Sequence, residues 1–427
     1  MENGKWKMEN INLRFLSISL CSLCSLWLIF VCALISQAQV AVKGETVWTM
    51  AGEPITNGVI LVNINGKIEA VGAASQIKIP AGYKIVSAKV VTPGLIDAHS
   101  VIGLNGYMNQ PHDQMALDGS APMQPELRAI DSYNPQERLV EWVREFGVTT
   151  IHTGHAPGAL ISGQTMIVKT FGKTADAAAI VPTAMIAVTL GEGALATGGK
   201  SPGTRAKQAA MLRAALIGAS EAVSKADLSK SDDKKSDPKT SSDLRGELMQ
   251  KVIRREIPLL ITAHRAQDIM TALRIAKEFN IKIILDGAAE ALLVLDEIKA
   301  SNFPVIIHPT MYRAGGEMEN LSMETAAKLR AAGVLTALQS GSESYVPKTR
   351  VVLFEAALAA ANGLSRRDAL ATITIDAAKI LGLDSRLGSL EEGKDADLAM
   401  YDGDPFEYTT HCVGTMIDGN IVSETIR

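Results

Sequence analysis

The chain has 427 residues, enough for one large domain and a smaller one. Apolar residues make up 47%, so a substantial core can form. Lys plus Arg total 42 and Asp plus Glu 46, a net charge of −4, so nothing points to nucleic acid, which calls for a basic surface.

The first 38 residues read as an export signal. Lys5, Lys7 and Arg14 form a positive start, residues 15–35 are almost uninterrupted apolar residues and serines, and Ser36-Gln37-Ala38 offers small residues for cleavage. Cleavage after Ala38 leaves a mature chain starting at Gln39 in the periplasm or outside the cell. Left uncleaved, the segment is long enough to anchor the chain in a membrane. It holds Cys21, Cys24 and Cys32, so the mature chain keeps only Cys412 and no internal disulfide.

From residue 40 to 91 short alternating runs are broken by turns. Residues 59–64 and 67–71 read as strands joined at Asn65-Gly66, a hairpin turn, and residues 85–91 as a third strand. This predicts a small antiparallel β module. Next comes Val90-Val91-Thr92-Pro93-Gly94-Leu95-Ile96-Asp97-Ala98-His99-Ser100-Val101, a turn feeding a buried strand that ends in a potential metal ligand. Residues 103–135 are rich in Gly, Asn, Met, Pro and Gln and read as a long loop. A helix over 136–146 and a strand over 148–152 follow, then a strand over 165–169 and an Ala-rich helix over 206–224. Residues 225–243 have no large apolar side chain between Leu228 and Leu244 and read as a solvated insertion. Strands over 259–264, 281–285 and 304–308 alternate with helices over 268–279 and 288–300, a βαβαβ run that predicts a parallel sheet and suits a (β/α)8 barrel. A helix over 323–332, a strand over 334–339 and a helix over 348–362 continue it. Residues 413–422, turning at Asp418-Gly419, predict a closing hairpin.

Two blocks carry a resemblance. Pro93-Gly94-Leu95-Ile96-Asp97-Ala98-His99 resembles the barrel entry of the amidohydrolase superfamily. The segment from Ala377 to Leu383, followed by Gly388-Ser389-Leu390-Glu391-Glu392-Gly393-Lys394-Asp395-Ala396-Asp397-Leu398, resembles that family's closing segment. The nearest group is the imidazolonepropionase-like amidohydrolases. The resemblance implies an α/β fold: a (β/α)8 TIM-type barrel over 94–384, with the polar insertion near 225–243, and a small β-sandwich domain built from 39–93 and 385–427, after a signal peptide over 1–38. It also implies a metal-activated water, with H-x-H on strand one, histidines after strands five and six, an aspartate after strand eight and a lysine after strand four.

Here His99 matches the first histidine and His264 the one after strand five, and both are expected to bind metal. Val101 stands at the second histidine, Gly287 is expected in the sixth-strand slot, and Gln339 or Ser340 replaces the aspartate. Lys169 reads as a plain exposed lysine. His152, His155 and His308 are candidates for additional ligands, since strand ends are where barrel sites lie, and Asp286 and Glu290 could supply a carboxylate unless Glu290 only favours a helix N-terminus. One divalent metal, zinc first, is expected, and the alternative is none. Two functions follow: an exported hydrolase of non-peptide C–N bonds, in a cyclic amide or related small substrate, at a reduced or rewired site; or an inactive homologue that binds a partner. The expected partners are a small-molecule substrate, no nucleic acid, a membrane only through an uncleaved signal segment, and a second copy or an active paralogue.

Overall fold

The computed structural model describes residues 39–231, 243–342 and 351–427, and residues 39–427 form one compact unit. The export signal and most of the polar insertion lie outside the described residues. Among the described residues no helix is long and apolar enough to cross a membrane.

Two sheets organise the unit. The first has seven strands: β1 (Val40–Val47), β2 (Ile55–Val62), β3 (Ile68–Ala73) and β4 (Lys84–Pro93) from the front of the chain, with β14 (Leu398–Tyr401), β15 (Cys412–Ile417) and β16 (Asn420–Ser423) from its end. Their order is β16-β15-β14-β4-β1-β2-β3, so both ends of the chain share one sheet. The Asn65-Gly66 and Asp418-Gly419 turns join β2 to β3 and β15 to β16, as their sequence dictates. The module is not wholly antiparallel, because β4 returns beside β1 in the same direction once the β2–β3 hairpin has carried the chain across. Val42, Ile60, Ile68, Val91, Leu398 and Met416 form its buried side.

The second sheet is the barrel. Its path runs through β5 (Leu95–Ser100), β6 (Val148–Gly154), β7 (Ile161–Lys169), β9 (Ile186–Thr189), β10 (Leu259–Ala263), β11 (Ile283–Gly287), β12 (Val305–Ile307) and β13 (Thr336–Ala337), with the short β8 (Ala179–Val181) beside β7. Beyond β13 the chain meets β5 again: the Gly341 amide donates to the His99 carbonyl at 3.1 Å, and that of Ala98 to the Leu338 carbonyl at 3.2 Å. These bonds bring the eight-stranded sheet close to a closed ring. The apolar strands from β10 to β12 are parallel and fully buried, as the βαβαβ pattern requires.

One strand breaks the parallel rule. β7 is antiparallel to both β6 and β9, because residues 155–160 turn the chain straight back instead of crossing over through a helix. The C-terminal end of β7 therefore lies at the floor of the barrel, beside the start of β6, where Thr150 pairs with Lys169. β9 has no counterpart in the strands read from the sequence. The Ala-rich helix runs over Arg205–Ser231, into the polar insertion.

Candidate active site

At the barrel mouth a cavity of about 310 Å³ is lined by His99, Thr262, His264, Asp286, Gly287, His308, Tyr312, Arg313 and Gln339, among others. His99 comes from β5, His264 follows β10 and His308 follows β12, all at carboxyl ends of strands. Three ring nitrogens there, His99 Nε2, His264 Nδ1 and His308 Nε2, are buried without a hydrogen-bond partner among the described residues. Buried polar atoms are normally satisfied, so three bare imidazole nitrogens on one cavity mark a site that meets something else.

Asp286 is the hub. Its Oδ1 takes His99 Nδ1 at 3.1 Å and Gln339 Nε2 at 2.7 Å, and its Oδ2 accepts the Thr262 hydroxyl at 2.5 Å. Gln339 also donates to the Ile307 carbonyl at 2.8 Å. Burial alone would raise the Asp286 carboxyl, but His99, Thr262 and Gln339 together hold it lower than usual. Burial alone would likewise lower His99, and the facing Asp286 carboxylate outweighs it and raises the imidazole. Burial lowers His264 and His308, which have no carboxylate bonded to them among the described residues. His308 Nδ1 donates to the Pro309 carbonyl at 3.0 Å, so in the neutral ring Nε2 carries the lone pair. One cavity thus holds a histidine that favours its proton beside two that resist one.

Several residues expected at the site are elsewhere. His152 has both nitrogens engaged, Nδ1 with the Ala98 carbonyl and Nε2 with the Thr165 hydroxyl, each at 2.7 Å, and burial pushes it down to about 3. It is a neutral interior histidine with no lone pair to give. His155 faces a different cavity, beside Asp118 and Glu126. Val101 is buried in the main core. Ser340 turns away from the mouth and bonds Asp97 through its amide (3.0 Å) and its hydroxyl. Gln339 is the residue that faces the cavity. Asp97, buried between the two strands it ties, is pushed up to about 6 by that burial despite Ser340.

Gly287 does end β11, but a side chain there would collide with His264: a Cβ would lie 2.5 Å from the His264 Cε1, on backbone at φ +79. The His264 ring fills the space a sixth-strand ligand needs. Glu290 accepts the Ala266 amide at 2.7 Å, at the start of the helix Ala266–Phe279, so it caps that helix. Lys169 is not exposed. It sits at the barrel floor, bonded to Asp397 (2.7 Å), Asp418 (3.1 Å) and Asp395 (3.3 Å), because the reversed β7 points its end at the small sheet. Asp286 was detectable as a lone carboxylate inside the apolar run Ile283–Gly287.

These residues do not fit a resident metal as a ready shell. Among the described residues no three His, Cys, Asp or Glu side chains lie close enough together to hold an ion. The Asp286 oxygens are already taken by His99, Gln339 and Thr262.

A family model described as an amidohydrolase family matches residues 347–423. The structure of an amidohydrolase from Thermotoga maritima MSB8 is 31% identical, with a TM-score of 0.84, over 90% of this chain and 100% of that one. The chain belongs to the amidohydrolase family. Two further structures share the fold at 14% identity each. A prolidase complexed with N-methylphosphonate-L-proline has a TM-score of 0.58 over 91% of this chain and 100% of its own. An adenosine deaminase from Xanthomonas campestris with bound zinc has a TM-score of 0.51 over 90% and 92%. No curated protein matches the chain.

Proposed function

We propose that this protein hydrolyses a non-peptide C–N bond, in a cyclic amide or related small molecule, inside the cavity at the barrel mouth. The observation that carries the reading is the trio of unpartnered ring nitrogens of His99, His264 and His308 on one cavity. Its volume of about 310 Å³ suits a small substrate, near the lower end of ligand pockets. Neutral His264 or His308 takes the proton of an attacking water, and His99, whose Nδ1 is held by Asp286, delivers a proton from Nε2 to the leaving nitrogen. Gln339 and Thr262 fix Asp286, and through it the His99 ring. The chain acts outside the cytoplasm, after cleavage at Ala38.

A panel of cyclic amides, with product followed by chromatography, tests this. Turnover of at least one is expected, falling by about 100-fold in His99→Asn and in His308→Gln, the range of a lost general acid or base. A second reading, a homologue that binds but does not hydrolyse, is favoured by Val101, Gly287 and Gln339 standing where the family resemblance calls for donors. Ligand-induced stabilisation with no turnover of any panel member selects it and removes the hydrolase reading.

A further inference from the structure

The wall of the mouth cavity is divided. Its deepest side chains are polar: His99, Thr262, Asp286, His308 and Gln339 are each at most 6% exposed. Nearer solvent, the half-buried Pro157, Tyr312 and Met318 add apolar surface. Tyr312 and Met318 come from one segment, residues 309–324, which joins β12 to the helix Thr325–Ala331.

That segment is fastened on both sides of Met318. On one side the Glu317 carboxylate pairs with Arg205 and accepts the Glu192 amide at 2.9 Å. Arg205 is fixed in turn by Asp268, with its Nε 3.0 Å from each carboxylate oxygen. On the other side Glu319 accepts Arg265 at 2.5 Å and Asn320 donates to Glu290 at 2.8 Å. The Tyr312 ring is set by its hydroxyl, which accepts the Ser342 amide at 3.0 Å. A methionine side chain adapts to what it meets, but here its backbone is tied, so the apolar wall cannot withdraw. Arg313 is on the same wall and exposed, so its charge stays in water, where an ion pair gains little.

We infer that the substrate is amphipathic. Its amide lies among the deep polar groups, and it carries an apolar substituent that packs against Met318, which sets the specificity. The inference rests on the hydrolytic reading above for the amide end alone. A ligand polar at both ends would set a polar group against Met318 and Pro157, whose side chains offer it no N–H or O–H.

Calorimetric titration of the purified protein with pyrrolidinone and with phenylpyrrolidinone tests the inference. The phenyl compound should bind about tenfold more tightly or better, the scale of burying part of an aromatic ring. Met318→Ala should bring the two affinities to within about threefold, and Met318→Leu, apolar and of similar size, should keep them apart. Met318→Gln, polar and of similar length, gives the same test should Met318→Ala fail to fold. A merely structural role for Met318 would weaken both ligands alike. Binding is read apart from turnover, so a compound that binds without being hydrolysed counts against the hydrolase reading and not against this one. The inference is overturned by equal binding of the two compounds to the parent protein, or by an unchanged difference between them in the folded Met318→Ala or Met318→Gln variant. Tighter binding of pyrrolidinone carboxylate than of the phenyl compound, or no saturable heat with any of the three, overturns it as well.

Discussion

The two ends of the barrel treat polar groups in opposite ways. At the floor Lys169 is surrounded by Asp395, Asp397 and Asp418, with Lys67 and Arg386 also on Asp395. Burial alone would lower this lysine, but the three carboxylates outweigh it and raise it. At the mouth, three imidazole nitrogens have no partner among the described residues. A matched floor is what stability requires, and an unmatched mouth is what a ligand completes. A basic side chain at a strand end thus carries different meaning according to which end of the barrel it reaches.

The largest expected effect breaks the floor. Lys169→Met leaves the buried Asp397 carboxylate without its cation, while Asp395 keeps Lys67 and Arg386, at a cost of about 3–5 kcal/mol, typical of removing one partner from a buried ion pair. Urea denaturation measures it. A loss under about 1 kcal/mol would mean that the cluster is already well solvated.

The next effect lies between the two ends and concerns acid. His152 is held down to about 3, below its ordinary 6.5, so its stabilisation is present above pH 6.5 and is lost as pH falls toward 3. Asp97 is raised from 3.8 to about 6, so it binds protons more readily folded than unfolded, and stability gains as pH falls through 6. The two oppose each other in one window. Removing the second in Asp97→Asn should expose the first: between pH 7 and pH 5 the variant should lose about 2 kcal/mol, more than the parent protein does. Thermal melts at the two pH values check this, and equal losses in both proteins would contradict the assignment.

The smallest effect sharpens the mouth. Gly287→Ala places a methyl against the His264 ring on left-handed backbone and should cost about 1 kcal/mol while displacing the imidazole. Ligand affinity at the mouth should fall more than stability does. Unchanged affinity, measured by calorimetry, would remove His264 from the site.

The contrast also marks what the sequence could tell. The run from β10 to β12 was legible because apolar strands and helical spacing alternate there, and the closing hairpin because Asp418-Gly419 permits its turn. That His99 and His264 line one cavity at the strand ends was legible from their motif and positions. The direction of β7 was not, because a strand reads alike in both directions, and Lys169 was misread as exposed for that reason. Nor could local pattern show that Gln339 reaches Asp286 across 53 residues, since such a bond depends on barrel closure.

The reversed strand also bears on how the barrel assembles. β6 and β7 pair across a turn of only six residues, 155–160, whereas the parallel partners β9 and β10 are joined through residues 190–258. Contacts between near neighbours in the chain form sooner than those that must close a long loop. The hairpin is therefore expected to gain protection in pulsed hydrogen exchange ahead of the β9–β10 pair, and simultaneous protection would count against this order. An antiparallel step in an otherwise parallel ring gives its folding a local place to begin.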